Sequence, residues 1–251
     1  MMNKTIFSLT RTLYMTGLFL ACSFIAEAAG SLRESITGEF QHLEAKEGQH
    51  PFWLYGSPKL LEGGKYPLVI NLHGARAKAD PNELFKLKAM TSVWSEEKYY
   101  SKRPCFVVAP YFPPKGNWTA TQPQLLKTLE YLFENLPIDR SRVYITGFSH
   151  GGQGTLQLLV EKPDWFAGAV TVAGPVRKSA VVGKITTPVW IWVGEKDRSE
   201  KFTVLVEAMR KGGASVKYNI VKGKGHNCTP AAFKNEEVHE WLFSQTSLRS
   251  K

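Results

Sequence analysis

The sequence predicts an α/β fold: a mostly parallel sheet with helices on both faces, led in by an antiparallel hairpin. Three observations carry this expectation. Short apolar runs recur at residues 68–72, 106–109, 143–146, 169–172, 189–193 and 216–221. Stretches of helical periodicity lie between or after them at 82–99, 122–135, 151–161, 199–211 and 235–243. Strands alternating with helices form βαβ units, because two parallel neighbours need a long crossover between them. The runs also show little in-out alternation, as expected of strands covered on both faces. Ahead of them, residues 39–44 and 52–55 form two strands around the polar turn Glu47-Gly48-Gln49, hence a hairpin.

The first residues have a different texture. Lys4 and Arg11 flank the start of an apolar run over 13–26, and Ala26-Glu27-Ala28 supplies the small residues of a signal-peptidase site. Residues 1–28 are therefore expected to be a cleaved signal peptide, leaving 29–251 as a single domain that is secreted or periplasmic. The apolar run is shorter than the ~20 residues needed to cross a bilayer, so no stable membrane span is expected. Leu20-Ala21-Cys22 partly resembles a lipobox, which leaves lipid anchoring through Cys22 as the weaker alternative, since Phe19 stands where an aliphatic residue belongs.

The formal charge is +10, and removing Lys4, Arg11 and Glu27 with the leader makes it +9. Such a balance bears on partners and not on fold. The basic residues are scattered and no nucleic-acid-binding signature accompanies them, so no nucleic-acid partner is expected. Only Cys105 and Cys228 follow the leader. Export would favour a disulfide between them, but Cys105 opens a strand whereas Cys228 follows a loop at the opposite end of the sheet. Five strand residues span about 17 Å, far beyond the Cα separation a disulfide tolerates, so two free thiols are expected.

The chemistry concentrates in Val143-Tyr144-Ile145-Thr146-Gly147-Phe148-Ser149-His150-Gly151-Gly152, a strand, a tight turn and a helix start. A serine on such a turn has a strained backbone and an exposed hydroxyl, and glycines flank it because side chains there would strike the strand and helix. Two later strands end in candidate partners. Val189-Trp190-Ile191-Trp192-Val193-Gly194-Glu195-Lys196-Asp197 offers two acids, and Gly223-Lys224-Gly225-His226 offers a histidine. A serine hydroxyl attacks only if a base takes its proton, and a carboxylate must hold that base in the right tautomer.

These segments resemble the nucleophile elbow of the α/β-hydrolases and that family's chain order of Ser, Asp, His. The resemblance implies Ser149 as nucleophile, His226 as base and Asp197 as the orienting acid, with Glu195 as the competing acid. Asn71-Leu72-His73-Gly74-Ala75 is similar to the family's His-Gly segment after the third strand, which implies the backbone N–H groups of Ala75 and His150 as the oxyanion hole. His73 and His150 side chains are expected to hold loops. Ser149 as an ordinary helix-start residue is the plainer alternative.

Only residues 174–187 separate two strands where lipid-acting relatives insert a cap, so no cap domain and an open site are expected. An open site suits a short or phenolic acyl group on a bulky or polymeric alcohol, including one linked to polysaccharide. The loop Tyr111-Phe112-Pro113-Pro114-Lys115-Gly116-Asn117-Trp118 should overhang the site, with Tyr111 and Trp118 as substrate-binding aromatics; otherwise they pack beneath the loop. The chain resembles compact secreted esterases, namely feruloyl and acetylxylan esterases and polyhydroxybutyrate depolymerases, and the hydrolase domains related to prolyl oligopeptidase. The second resemblance makes a serine peptidase the alternative enzyme, and a catalytically silent binding protein is the alternative outside enzymes. No metal-binding spacing and no phosphate-binding glycine loop is present, so no metal and no cofactor is implied.

Overall fold

A computed structural model describes residues 32–75, 90–112, 116–174 and 182–247. The expected signal peptide and Cys22 lie outside the described residues. Eight strands form one sheet: β1 (Gln41–Leu43), β2 (Phe52–Tyr55), β3 (Tyr66–Leu72), β4 (Phe106–Pro110), β5 (Ile138–Phe148), β6 (Gly168–Val172), β7 (Val189–Gly194) and β8 (Val216–Val221). Their spatial order is β1-β2-β4-β3-β5-β6-β7-β8. β1 and β2 pair antiparallel and β2 joins β4 antiparallel, whereas every pair from β4 to β8 is parallel. The parallel strands therefore all end on one edge of the sheet, which is where loops from distant parts of the chain meet.

The described helices are α1 (Glu97–Tyr100), α2 (Gln122–Asn135), α3 (His150–Glu161), α4 (Ser199–Lys211), α5 (Thr229–Phe233) and α6 (Glu236–Ser244). Alternate residues of each central strand feed two separate cores. Leu68, Ile70, Val143, Ile145, Ile191 and Val193 pack against Leu125, Leu129 and Leu132 of α2, the leucines of α3, and Phe202, Leu205 and Met209 of α4. Val69, Val107, Tyr144, Val170, Trp190 and Trp192 face Tyr99 and Tyr100 of α1, Phe233 of α5, and Val238 and Leu242 of α6. The helices obey the same logic. The buried set of α2, Leu125, Thr128, Leu129 and Leu132, recurs at the three-and-four spacing of one helical face. In α6, Asn235 caps the start by accepting from the Glu237 N–H, and Glu236 and Glu237 fill the first turn, where negative charge suits the helix dipole.

Two expectations need correction. The helix expected over 82–99 is not continuous in its described part: a 3₁₀ turn at Ser92–Ser95 gives way to extended backbone at Glu96 before α1 begins. Ser95 Oγ donates to the Ser92 carbonyl and Asn71 donates to Thr91 Oγ1, so hydroxyl chemistry competes with helix continuation there. β8 is not covered on both faces like β3 to β7, because it is the edge strand and its residues are half-buried or exposed. α5, which follows the His226 loop, has no counterpart in the sequence reading. Cys105 and Cys228 are both free and buried. Burial, with the Asp197 charge adding to it, pushes the Cys228 thiol up to about 11.

Candidate active site

Ser149 joins the end of β5 to the start of α3 with φ 54° and ψ −116°, a conformation rarely adopted by a residue with a Cβ. The surroundings enforce it. Ser149 N–H donates to the Val172 carbonyl at 2.9 Å, and its own carbonyl accepts from Gln153 N–H at 3.0 Å. Close backbone approach explains the flanking glycines: a Cβ on Gly147 would lie 2.3 Å from the Gly151 carbonyl oxygen, and one on Gly151 would lie 1.9 Å from that of Leu72. The serine hydroxyl does not cap α3, so the helix-start role does not describe it.

The acid and the histidine come from the ends of β7 and β8. The two loops are laced together by Glu195 N–H to Val221 carbonyl and Lys196 N–H to Lys224 carbonyl bonds of 3.1 and 2.9 Å. Gly194 makes this approach possible, since a Cβ there would sit 2.1 Å from the Gly225 carbonyl oxygen. His226 then bridges the site, with Nδ1 2.8 Å from Asp197 Oδ2 and Nε2 2.9 Å from Ser149 Oγ. An ionised carboxylate only accepts, so Nδ1 carries the proton and the Nε2 lone pair faces the serine hydroxyl, which donates to it. This is the tautomer a general base requires. The His226 side chain is 50% exposed and that of Asp197 21%, and the Phe148 ring lies 5.1 Å from the imidazole.

Glu195 has a different task. Its Oε2 accepts from Gly223 N–H at 2.7 Å, so it ties down the β8 loop and does not meet the histidine. His150 is the first residue of α3, where backbone N–H groups lack intrahelical acceptors, and Ala75 follows β3 on the same edge of the sheet. His73 is buried, with Nδ1 donating to the Gly74 carbonyl at 2.7 Å.

The two aromatics expected to face substrate are placed otherwise. Trp118 is only 3% exposed, packs against His73 and Phe112, and donates its indole N–H to the His73 carbonyl at 3.0 Å. Its faces are occupied, so it supports the loop and does not serve as an exposed stacking platform. Tyr111 is half-buried, stacks on His42 and shares a 2.6 Å hydrogen bond with it, and burial pushes its hydroxyl up to about 12. It is tied to the hairpin and not to Ser149 or His226. Residues 113–115 of that loop and 175–181 of the connection expected to lack a cap lie outside the described residues. The Glu195 bond to Gly223, the place of Phe148 beside His226 and the Gly194–Gly225 contact carried no signal in the sequence, because each depends on which loops meet.

The sheet order, the strained turn after β5 and the loop ends after β7 and β8 make this an α/β-hydrolase fold. Residues 115–203 match the prolyl oligopeptidase family. A crystal structure of a thermostable esterase superposes with a TM-score of 0.74 at 29% identity, covering 82% of this chain and 63% of that one. A ferulic acid esterase structure aligns with a TM-score of 0.61 at 14% identity, covering 82% and 97%, a likeness of fold. Poly(3-hydroxyalkanoate) depolymerase C of Paucimonas lemoignei is 32% identical over 127 residues, covering 45% of this chain and 29% of that protein. The chain spans less than a third of the length of the curated relatives it matches.

Proposed function

We propose that this protein is an exported serine esterase, with a cleaved leader over 1–28 and a hydrolase domain over 29–251, acting outside the cytoplasm as a secreted or periplasmic enzyme. Ser149 attacks the ester carbonyl as His226 takes its proton, forming an acyl-enzyme and releasing the alcohol, to which His226 returns the proton. Water then repeats the cycle on the acyl group. Asp197 holds the imidazole and offsets its transient charge. The N–H groups of Ala75 and His150 receive the oxyanion, each worth about 3–4 kcal/mol in enzymes of this kind. The substrate is a short or phenolic acyl ester of a bulky or polymeric alcohol.

The observation that carries this reading is the single imidazole hydrogen-bonded on one side to a carboxylate and on the other to a serine in a strained turn. The thermostable esterase and the depolymerase lend support to ester chemistry. The match of residues 115–203 to the prolyl oligopeptidase family favours a second reading, a serine peptidase using the same residues.

A panel of acetyl, butyryl and feruloyl esters and a small peptide amide, run on residues 29–251 and on Ser149→Ala, tests both. Ester hydrolysis should fall by about 10³-fold or more in the variant, with fluorophosphonate labelling abolished and the thermal transition retained. A variant that keeps most of its activity would remove Ser149 from the mechanism. Preferential cleavage of the peptide would move the assignment to the second reading.

A further inference from the structure

The two loops that present Asp197 and His226 also gather charge. Residues 194–226, from the end of β7 to His226, hold eight lysines and arginines against four acids, a net +4 of the chain's formal +10. The fold draws part of this set together. Lys196 N–H donates to the Lys224 carbonyl at 2.9 Å, so two lysines far apart in sequence meet where the loops are laced. Arg198 directly follows Asp197, and Lys222 precedes Gly223, whose N–H holds Glu195. All four residues are exposed. Among the described residues, none of their side chains forms an ion pair or a hydrogen bond.

The acids of these loops do not cancel the charge. Glu195 is engaged with Gly223 N–H at 2.7 Å and Asp197 with His226 Nδ1 at 2.8 Å, so four free cations stand against two carboxylates that are already bonded. The next acid is Glu200 in the first turn of α4, and exposed Lys201 follows it. Arg198 is a separate sign of use. Its φ of 57° and ψ of 44° lie in the left-handed region, where glycine or asparagine is the ordinary choice. Packing does not call for an arginine at this exposed turn, which leaves its charge as the reason for it.

The position of the charge selects one side of the substrate. In ester cleavage His226 hands its proton to the departing alcohol oxygen, so the loops around it border the alcohol and not the acyl group. Exposed charges act through water over about 8 Å at physiological ionic strength, enough to reach a group attached near that oxygen but too weakly for tight binding. Their effect is to raise the local concentration of an oppositely charged substrate and to speed its arrival.

We infer that the loops after β7 and β8 steer an anionic substrate, an ester whose alcohol portion carries carboxylate or phosphate groups, with Lys196, Arg198, Lys222 and Lys224 supplying the field. The inference rests on the esterase reading and refines it: the bulky or polymeric alcohol is an acidic one.

The test compares 4-acetoxybenzoate with methyl 4-acetoxybenzoate, which share the acetyl group and differ by a carboxylate on the alcohol. Their kcat/KM ratio is read in NaCl at about 0.01 M and about 1 M, where the Debye length is about 30 Å and about 3 Å. It is measured on the wild type and on Lys196→Gln/Arg198→Gln/Lys222→Gln/Lys224→Gln, with melting as the check of the fold. The ratio of anionic to neutral ester should fall by about tenfold or more on adding salt, and the variant should show the lower ratio already in low salt. A wild-type ratio indifferent to salt, or a low-salt ratio that the folded variant leaves unchanged, overturns the steering. The esterase reading then still stands if Ser149→Ala abolishes hydrolysis of the neutral ester. Failure of the wild type to hydrolyse either ester overturns both. Should the variant not fold, the salt dependence of the wild type decides alone.

Discussion

Ser149 and the two side chains hydrogen-bonded in line with it are held in opposite ways. Ser149 sits where β5, α3 and the end of β6 touch backbone to backbone, with Gly147, Gly151 and Gly152 admitting contacts that a Cβ would forbid. His226 and Asp197 ride on loops beyond β7 and β8, the histidine half-exposed, and are fixed by a few loop-to-loop hydrogen bonds and the Glu195 carboxylate. The serine's position is thus part of the fold's packing, whereas the base is adjusted by local side chains. Damage to the first region should cost stability, and damage to the second should cost rate.

The largest effect expected is on rate. Asp197→Asn should reduce ester hydrolysis by about 10⁴-fold with melting little changed, because the neutral amide no longer enforces the Nδ1–H tautomer. Glu195→Gln keeps an oxygen that can accept from Gly223 N–H and should cost no more than a few-fold. Steady-state kinetics on the pair would reverse the assignment of the acid if the two losses were equal.

Gly151→Ala should do the opposite. Its methyl group would meet the Leu72 carbonyl oxygen at 1.9 Å, and backbone cannot yield there without separating α3 from β3. A loss of about 4 kcal/mol or more is expected, read as a fall in Tm of about 10 °C or more. If the variant melted normally while losing activity, the elbow would not be the packed region described above.

Acid sharpens the contrast a third way. Stability in acid depends in part on His239 of α6, far from the serine turn, which is buried, stacks on Tyr99 at 3.9 Å and donates Nε2–H to the Phe233 carbonyl. Burial lowers its pKa to about 4, with Arg103 and Lys98 acting in the same sense against the Phe233 bond and Glu236. The folded state therefore prefers the neutral ring. This contribution is whole above the unfolded value near 6.5 and is lost as pH falls toward 4, about 3 kcal/mol in all. Urea midpoints at pH 7 and pH 4 should show this slope, and His239→Gln, which has no titrating ring, should flatten it.

The sequence by itself determined the fold class, the turn that carries Ser149, and the chain order of Ser149, Asp197 and His226, the residues the structure brings together. Each rests on short-range pattern: apolar runs broken by helical periodicity, a serine between glycines after a strand, and an acid and a histidine just past strand ends. Helix α2 begins and ends where its periodicity does, because burial of one face is written into consecutive residues. Only the tertiary structure decided which of Glu195 and Asp197 meets His226. Two acids one residue apart have the same local context, and what separates them is that the β8 loop presents Gly223 to one and His226 to the other. The same holds for Trp118, buried because the His73 carbonyl and Gly154 lie where its ring must go. Such outcomes depend on contacts between residues far apart in the chain, and a one-dimensional pattern does not record which loops the sheet will bring together.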